Sequence, residues 1–275
     1  MIHKTAGKDD EYSQGAHSDR RGFEPGTPAP GSRTMIRDSH FRAKQPFRAR
    51  GVAELSARIG DVDAEIVRRL DAGTTPVRVL ELGCGYGSVL LEWRQRHGER
   101  IALTGLNREE QDGDDAIVRR NGIERGLVDA SDTAAMPALA FGDAADGLPF
   151  ADASFDLVVS QVAWLYFGRK AHVLREIARV LDRDGVARID ADEIHPRLPP
   201  EYARLFEIWH RGRLVPLGDY LARHGGAIRR ADQGEYLAFG KLEGLGDDLL
   251  PVAEIDLATI DPDWDGIKCI YRLRG

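Results

Sequence analysis

The chain has 275 residues, 42% hydrophobic and 30% charged, with a formal net charge of -7. That length is enough for one full-sized hydrophobic core without disulfide or metal staples, and the acidic balance argues against a surface that tracks nucleic acid. No run of about 18 apolar residues is present to cross a membrane. The two cysteines, Cys84 and Cys269, lack metal-ligand spacing and are expected to be reduced thiols of a cytoplasmic protein.

Residues 1–34 are rich in Gly, Pro, Ser and charge and have no periodicity, so a disordered N-terminal extension is expected, with Met35 a second candidate start. Arg20-Arg21 is followed by a Pro- and Gly-rich stretch rather than an apolar segment, which is not a signal peptide. Residues 35–74 are expected to form a helical and lid segment. Arg37, Arg42, Lys44, Arg48 and Arg50 beside Phe41 and Phe47 suit either a solvated lead-in or a lid over an anionic ligand. Leu55, Ile59, Val62, Ile66 and Leu70 then recur on one helical face, which Gly73 closes.

From here strands and helices alternate. Val77–Leu82, Ile101–Leu106, Leu139–Phe141, Phe155–Ser160 and Val186–Ile189 read as short buried strands. Ser88–His97, a polar stretch from Arg108 stopped at Asn121-Gly122, and Ala171–Leu181 read as the helices between them. Such alternation predicts a parallel sheet with helices on both faces. Beyond Asp190 the rhythm changes. Helices are expected over Glu201–Arg213 and Asp219–His224, and an antiparallel closing pair from Glu235–Leu242 and Ile267–Leu273.

The first strand runs into Gly83-Cys84-Gly85-Tyr86-Gly87, and a helix opens at Ser88. Glycine allows the tight turn and close approach of a ligand, and the helix start presents unpaired N–H groups. The dinucleotide fingerprint needs its third glycine where Ser88 stands, and the P-loop needs a Lys that Ser88-Val89 does not supply. A tight turn with no ligand is the plain alternative.

Val79-Leu80-Glu81-Leu82-Gly83-Cys84-Gly85-Tyr86-Gly87 resembles the first motif of the class I S-adenosylmethionine-dependent methyltransferases. Further segments agree in order: Thr104-Gly105-Leu106-Asn107; Gly142-Asp143-Ala144, Leu148-Pro149-Phe150 and Ser154-Phe155-Asp156-Leu157-Val158; and Leu174–Leu181 with Asp184-Gly185. The resemblance covers roughly residues 75–190 and is specific for fold and cofactor, not for substrate. It implies an α/β fold: a Rossmann-like, doubly wound, mostly parallel seven-stranded sheet. The S-adenosylmethionine-binding catalytic domain would be 75–275, with a core over 75–190 and substrate-side elements over 191–275.

The resemblance further implies that Gly83, Gly85 and Gly87 pack under the methionine part of the cofactor, which Glu81 orients, or else that Glu81 only holds the loop closed. Asn107 stands where the family often has a carboxylate on the ribose hydroxyls; an amide accepts without charge. Asp143 would face the adenine amino group, with the Ala144 backbone beside it, or would cap its loop. Asp152 and Asp156 are expected to end turns or cap a strand.

Ligands of open α/β sheets bind beyond the C-terminal ends of the strands. Ser160 and Gln161 therefore join the candidate cofactor contacts, and Trp164 and Tyr166 either face a sulfonium or cover the sheet edge. Candidate bases are Asp190, Asp192, Glu193 and His195, with His195 preferred for its neutral-range titration; Tyr166 and His210 follow, and His172 is expected to face solvent. No metal-ligand set is recognised. The expected partner is a small-molecule metabolite, with no nucleic acid and no membrane, in a monomer or homodimer. Three readings stay open: methyl transfer, transfer or cyclisation of the cofactor's aminobutyrate arm with release of methylthioadenosine, and a non-catalytic cofactor-binding subunit.

Overall fold

The computed structural model describes residues 50–131, 136–164, 170–190, 207–210 and 213–242, together with five two-residue strands between 250 and 273. The 1–34 extension, residues 35–49 of the helical and lid segment, and Tyr166, Asp192, Glu193 and His195 lie outside the described residues.

Two helices open the described chain, α1 (Val52–Ile59) and α2 (Val62–Asp71). The sequence periodicity suggested one. Gly60 adopts φ +76, and the Asp61 carboxylate caps α2 by accepting from the Ala64 N–H at 2.9 Å, so the chain bends between two helices that keep one apolar face. Next come β1 (Val77–Leu82), α3 (Ser88–His97), β2 (Ile101–Asn107), α4 (Asp115–Glu124), β3 (Ala138–Phe141), β4 (Phe155–Ser160), α5 (Lys170–Val180) and β5 (Leu181–Asp190). The polar stretch after β2 is a short 3-10 turn, Glu110–Asp112, followed by α4, which Asp114 caps on the Ile117 N–H. Asn121-Gly122 does not stop that helix. It runs to Glu124, and Gly126 at φ +68 follows it.

After β5 come β6 (Glu207–His210), β7 (Arg213–Pro216), α6 (Leu217–Arg223), β8 (Ala227–Ala231) and β9 (Gly234–Phe239). The helix expected over Glu201–Arg213 is corrected within its described part, where β6 and β7 pair antiparallel. The closing pair is corrected as well. The strand expected at Glu235–Leu242 exists as β9, but its partner is β8, one tight turn upstream, and not Ile267–Leu273. Lys268–Cys269 and Arg272–Leu273 instead pair with Ile260–Asp261 and Ile255–Asp256 in two small separate sheets.

The main sheet has seven strands in the order β3-β2-β1-β4-β5-β9-β8. The first five are parallel, and β9 and β8 join antiparallel. Both faces are covered. In β1, Leu80 and Leu82 point into a cluster with Trp164, Val173, Leu174 and Ile177, whereas Val77 and Val79 point the other way against Leu55, Ile59, Ile66 and Trp93. Period-two alternation in a strand covered on both sides gives this division. Each fully buried side chain of this kind contributes about 1.5–3 kcal/mol of burial.

At the N-terminal ends of the strands, Arg78 on β1 donates to both carboxylate oxygens of Asp156 on β4 and to Asp182 on β5. Arg179 on α5 holds Asp152 and the carbonyls of Leu148 and Phe150. Asp152 and Asp156 thus anchor strand and turn, far along the strands from their C-terminal edge. The chain reverses its direction of strand addition between β1 and β4, where the crevice of an open parallel sheet lies.

Candidate cofactor-binding site

At that crevice β1 delivers the chain into the glycine loop. Gly83, Gly85 and Gly87 adopt φ +71, +52 and +69, which is left-handed backbone that disfavours any side chain. Space imposes the same choice. A Cβ on Gly83 would stand 2.5 Å from the Ala163 Cβ, and one on Gly87 2.8 Å from Val118 Cγ1. Gly87 also begins α3, its carbonyl accepting from the Leu91 N–H at 2.9 Å.

Side chains from β2 and α4 hold the loop from outside. Asn107 is 3% exposed. Its Oδ1 accepts from the Gly85 N–H at 2.7 Å, and its Nδ2 donates to the Gly85 and Gly113 carbonyls at 2.9 and 3.1 Å. The amide expected at the ribose is committed to the loop backbone. Gly113 lies so close that a Cβ there would stand 2.0 Å from the Gly85 oxygen. Asn121, read from the sequence as a helix stop, is a buried clamp: its Nδ2 donates to the Tyr86 carbonyl and to Ser88 Oγ, both at 2.9 Å. Cys84 turns inward, where its Sγ fills the space a side chain on Gly105 would need. Burial and the nearby Glu81 carboxyl push its thiol pKa up, which makes it a packing group, not a nucleophile.

Two polar atoms of the crevice have no hydrogen-bond partner among the described residues: Glu81 Oε2, just before the loop, and Gln161 Nε2, just after β4. Both side chains are buried. Burial pushes the Glu81 carboxyl up to about 8, because the charged form loses its water.

Ser160, expected to touch the cofactor, is fully buried and donates its hydroxyl to the Leu82 carbonyl at 3.0 Å, so it ties β4 to β1 instead. Asp143 lies beyond β3, half-buried, and accepts from the Ala145 N–H at 2.8 Å. Burial raises its pKa, and the same hydrogen bond opposes the shift. The loop-cap role foreseen for it is present, and Ala144 beside it sits in the core. Trp164 is 2% exposed in that core, a correction to the reading that turned it toward a sulfonium. Among the candidate bases, Asp190 is fully buried and ion-paired with Arg58 at 3.0 Å. His172 lies on α5 within 3.5 Å of Arg175. His210 ends β6, where only the backbone is described.

Residues 80–189 match the family model described as a methyltransferase domain. The chain is 32% identical over 108 residues to a glycine/sarcosine/dimethylglycine N-methyltransferase of Actinopolyspora halophila, 39% of this chain and 17% of that protein. It is 29% identical over 134 residues to a sarcosine/dimethylglycine N-methyltransferase of Halorhodospira halochloris, 49% of this chain and 43% of that one. The matched stretches therefore span less than half of these relatives' own lengths. Among solved structures, a phosphoethanolamine N-methyltransferase of Haemonchus contortus, in complex with phosphomonomethylethanolamine and S-adenosylhomocysteine, is 20% identical with a TM-score of 0.35, over 47% of this chain and 28% of that one.

Proposed function

We propose, on the premise that residues 80–189 are a class I S-adenosylmethionine-dependent methyltransferase domain, that this chain transfers the cofactor's methyl group to a small-molecule amine. The observation that carries the reading is the pair of buried, unmatched polar atoms at the glycine loop, Glu81 Oε2 and Gln161 Nε2. A buried polar atom without a partner costs about 1–3 kcal/mol, and a zwitterionic ligand group would satisfy both atoms. Glu81 would take the ammonium of the methionine part and Gln161 its carboxylate. Gly83, Gly85 and Gly87 would form the floor, and Asp143 with the Ala144 backbone would border the adenine. Asn107 acts from behind, by holding Gly85.

S-adenosylmethionine supplies a methyl group on a positively charged sulfur, already activated as an electrophile. The chain's own residues then have to orient, exclude water and manage one proton. His195, and after it Tyr166, are our candidates to receive a proton from the acceptor. The matched relatives carry glycine, sarcosine and dimethylglycine in their names, which makes amino-acid amines the first acceptors to try.

The test is incubation of the full chain with S-adenosylmethionine and glycine, sarcosine, dimethylglycine and a panel of other small amines, with mass spectrometry of all sulfur-containing products. The expected product is S-adenosylhomocysteine beside a methylated amine. Methylthioadenosine would transfer the assignment to chemistry on the aminobutyrate arm, and no calorimetric binding of S-adenosylmethionine would remove it.

A further inference from the structure

The segment after β4 forms one wall of the crevice, and its backbone is unusual. Val162 adopts φ +58, a left-handed conformation that is poor for a β-branched residue and persists only where the surroundings over-determine it. One such constraint is visible. The Val162 N–H donates to Asp190 Oδ2 at 3.3 Å, and the same oxygen receives Arg58 Nη1 at 3.0 Å. Asp190 ends β5, and Arg58 belongs to α1. The next residue, Ala163, presses its methyl group against Gly83. Contacts thus run from α1 through β5 and the β4 loop to the first glycine of the cofactor loop.

We propose that Arg58 and Asp190 are positioning residues, through which the N-terminal helix sets the posture of Val162–Ala163 and with it the floor of the cofactor site. The inference rests on the methyltransferase reading above. Two observations separate positioning from plain attachment of the helix. First, α1 is held independently. Arg188 Nη1 donates to the Asp61 and Ile59 carbonyls at 3.0 and 3.4 Å, and the Gln233 N–H donates to the Ala57 carbonyl at 2.8 Å. Leu55 and Ile59 are fully buried against the sheet. Secondly, burying an ion pair gains little over apolar packing, because desolvation offsets the attraction. What this pair adds is direction: a charged acceptor at one fixed point, stronger toward the Val162 amide than a neutral one.

The experiment compares R58Q, R58K, D190N and R69Q in the full chain. Arg69 supplies the control, since it links α2 to the Asp184 carbonyl at the other end of β5. Each protein is measured for unfolding temperature and, well below it, for calorimetric Kd toward S-adenosylmethionine and S-adenosylhomocysteine. R58Q is expected to weaken both by about tenfold, as for loss of one charge-assisted hydrogen bond. R58K is expected to recover to within about threefold, because an ammonium can still reach the carboxylate. D190N should weaken binding as R58Q does, and serves alone if R58Q does not fold. R69Q should lower the unfolding temperature with Kd unchanged. Wild-type Kd values in folded R58Q or D190N overturn the positioning role, as does an equal loss in R69Q. A wild-type chain that binds neither compound instead fails the methyltransferase reading itself.

Discussion

Glu81 illustrates how one enclosed carboxyl can report on a ligand. Its pKa is raised by burial to about 8, above the ordinary unfolded value of about 4.3. The folded chain therefore holds a proton that the unfolded chain releases. The stability this contributes is complete below the unfolded pKa and is lost as pH rises through the folded one. A positive group placed beside Glu81 favours the carboxylate and lowers that pKa again, so binding expels a proton while the pH is below about 8. Affinity for S-adenosylmethionine is thus expected to rise from about pH 6 toward about pH 8. Calorimetry in two buffers of different ionisation heat should show net proton release. The E81Q variant should bind more weakly, with a flat pH profile over that range. Proton uptake by the wild type would contradict the assignment.

Asn107 obeys a related rule of donors and acceptors. A carboxylate could accept from the Gly85 N–H, but it would face the Gly85 and Gly113 carbonyls with nothing to donate. The amide can do both. The amide at this position is therefore accounted for locally, by the loop that the residue holds.

At the scale of elements, the glycine loop is a fixed bridge between β1 and α3, not a flexible one. A Gly83→Ala change would bring a methyl group 2.5 Å from the Ala163 Cβ and place a side chain at φ +71. The conformation alone costs about 1–2 kcal/mol, and the contact must be relieved by moving the Val162–Ala163 segment. G83A is expected to lose S-adenosylmethionine affinity by at least about tenfold. Adding A163G should restore part of it, since the clash is removed while the backbone strain remains. Titration of the single and double variants checks this, and equal losses in both would mean that the clash is not what matters.

The same scale shows what could be read from the chain and what could not. The strands β1 to β4, the glycine turn and the helices α3 and α5 are local: apolar period and turn residues specify each within a few positions, whereas β5 starts at Leu181, five residues before the expected Val186, and runs through Asp184-Gly185 without a turn. The clamps on the loop are not. Asn107 lies 22 residues from Gly85, Asn121 33 from Ser88, and Arg58 132 from Asp190. Those partners meet only through the strand order. The C-terminal half misleads for another reason. Alternation in Ile267–Leu273 marks a residue pattern but not a partner, and β8 reaches β9 first because only Asp232 and Gln233 lie between them. Unmatched burial of Gln161 and Glu81 was equally invisible, since enclosure is a property of the folded crevice.

For the whole molecule, the strand order gathers the loop after β1, the end of β2, the turn after β3 and the segment after β4 at one edge of the sheet, while the Arg78 and Arg179 networks hold the opposite ends. A ligand bound there bridges four separate stretches of chain that belong to one cooperative fold, so occupancy should raise global stability and not merely order a loop. Saturation at one hundred times Kd adds about 2.7 kcal/mol, which for a domain of this size corresponds to a rise of about 5–10 °C in unfolding temperature. S-adenosylmethionine and S-adenosylhomocysteine are both expected to produce it. A nicotinamide dinucleotide or a nucleoside triphosphate at the same concentration should not, because Ser88 occupies the third-glycine position of the first fingerprint and the loop has no P-loop lysine. Thermal unfolding with each of the four ligands decides the matter. An equal shift with the dinucleotide would mean that the glycine spacing does not discriminate, and the ligand assigned to this crevice would have to be drawn again from its chemistry.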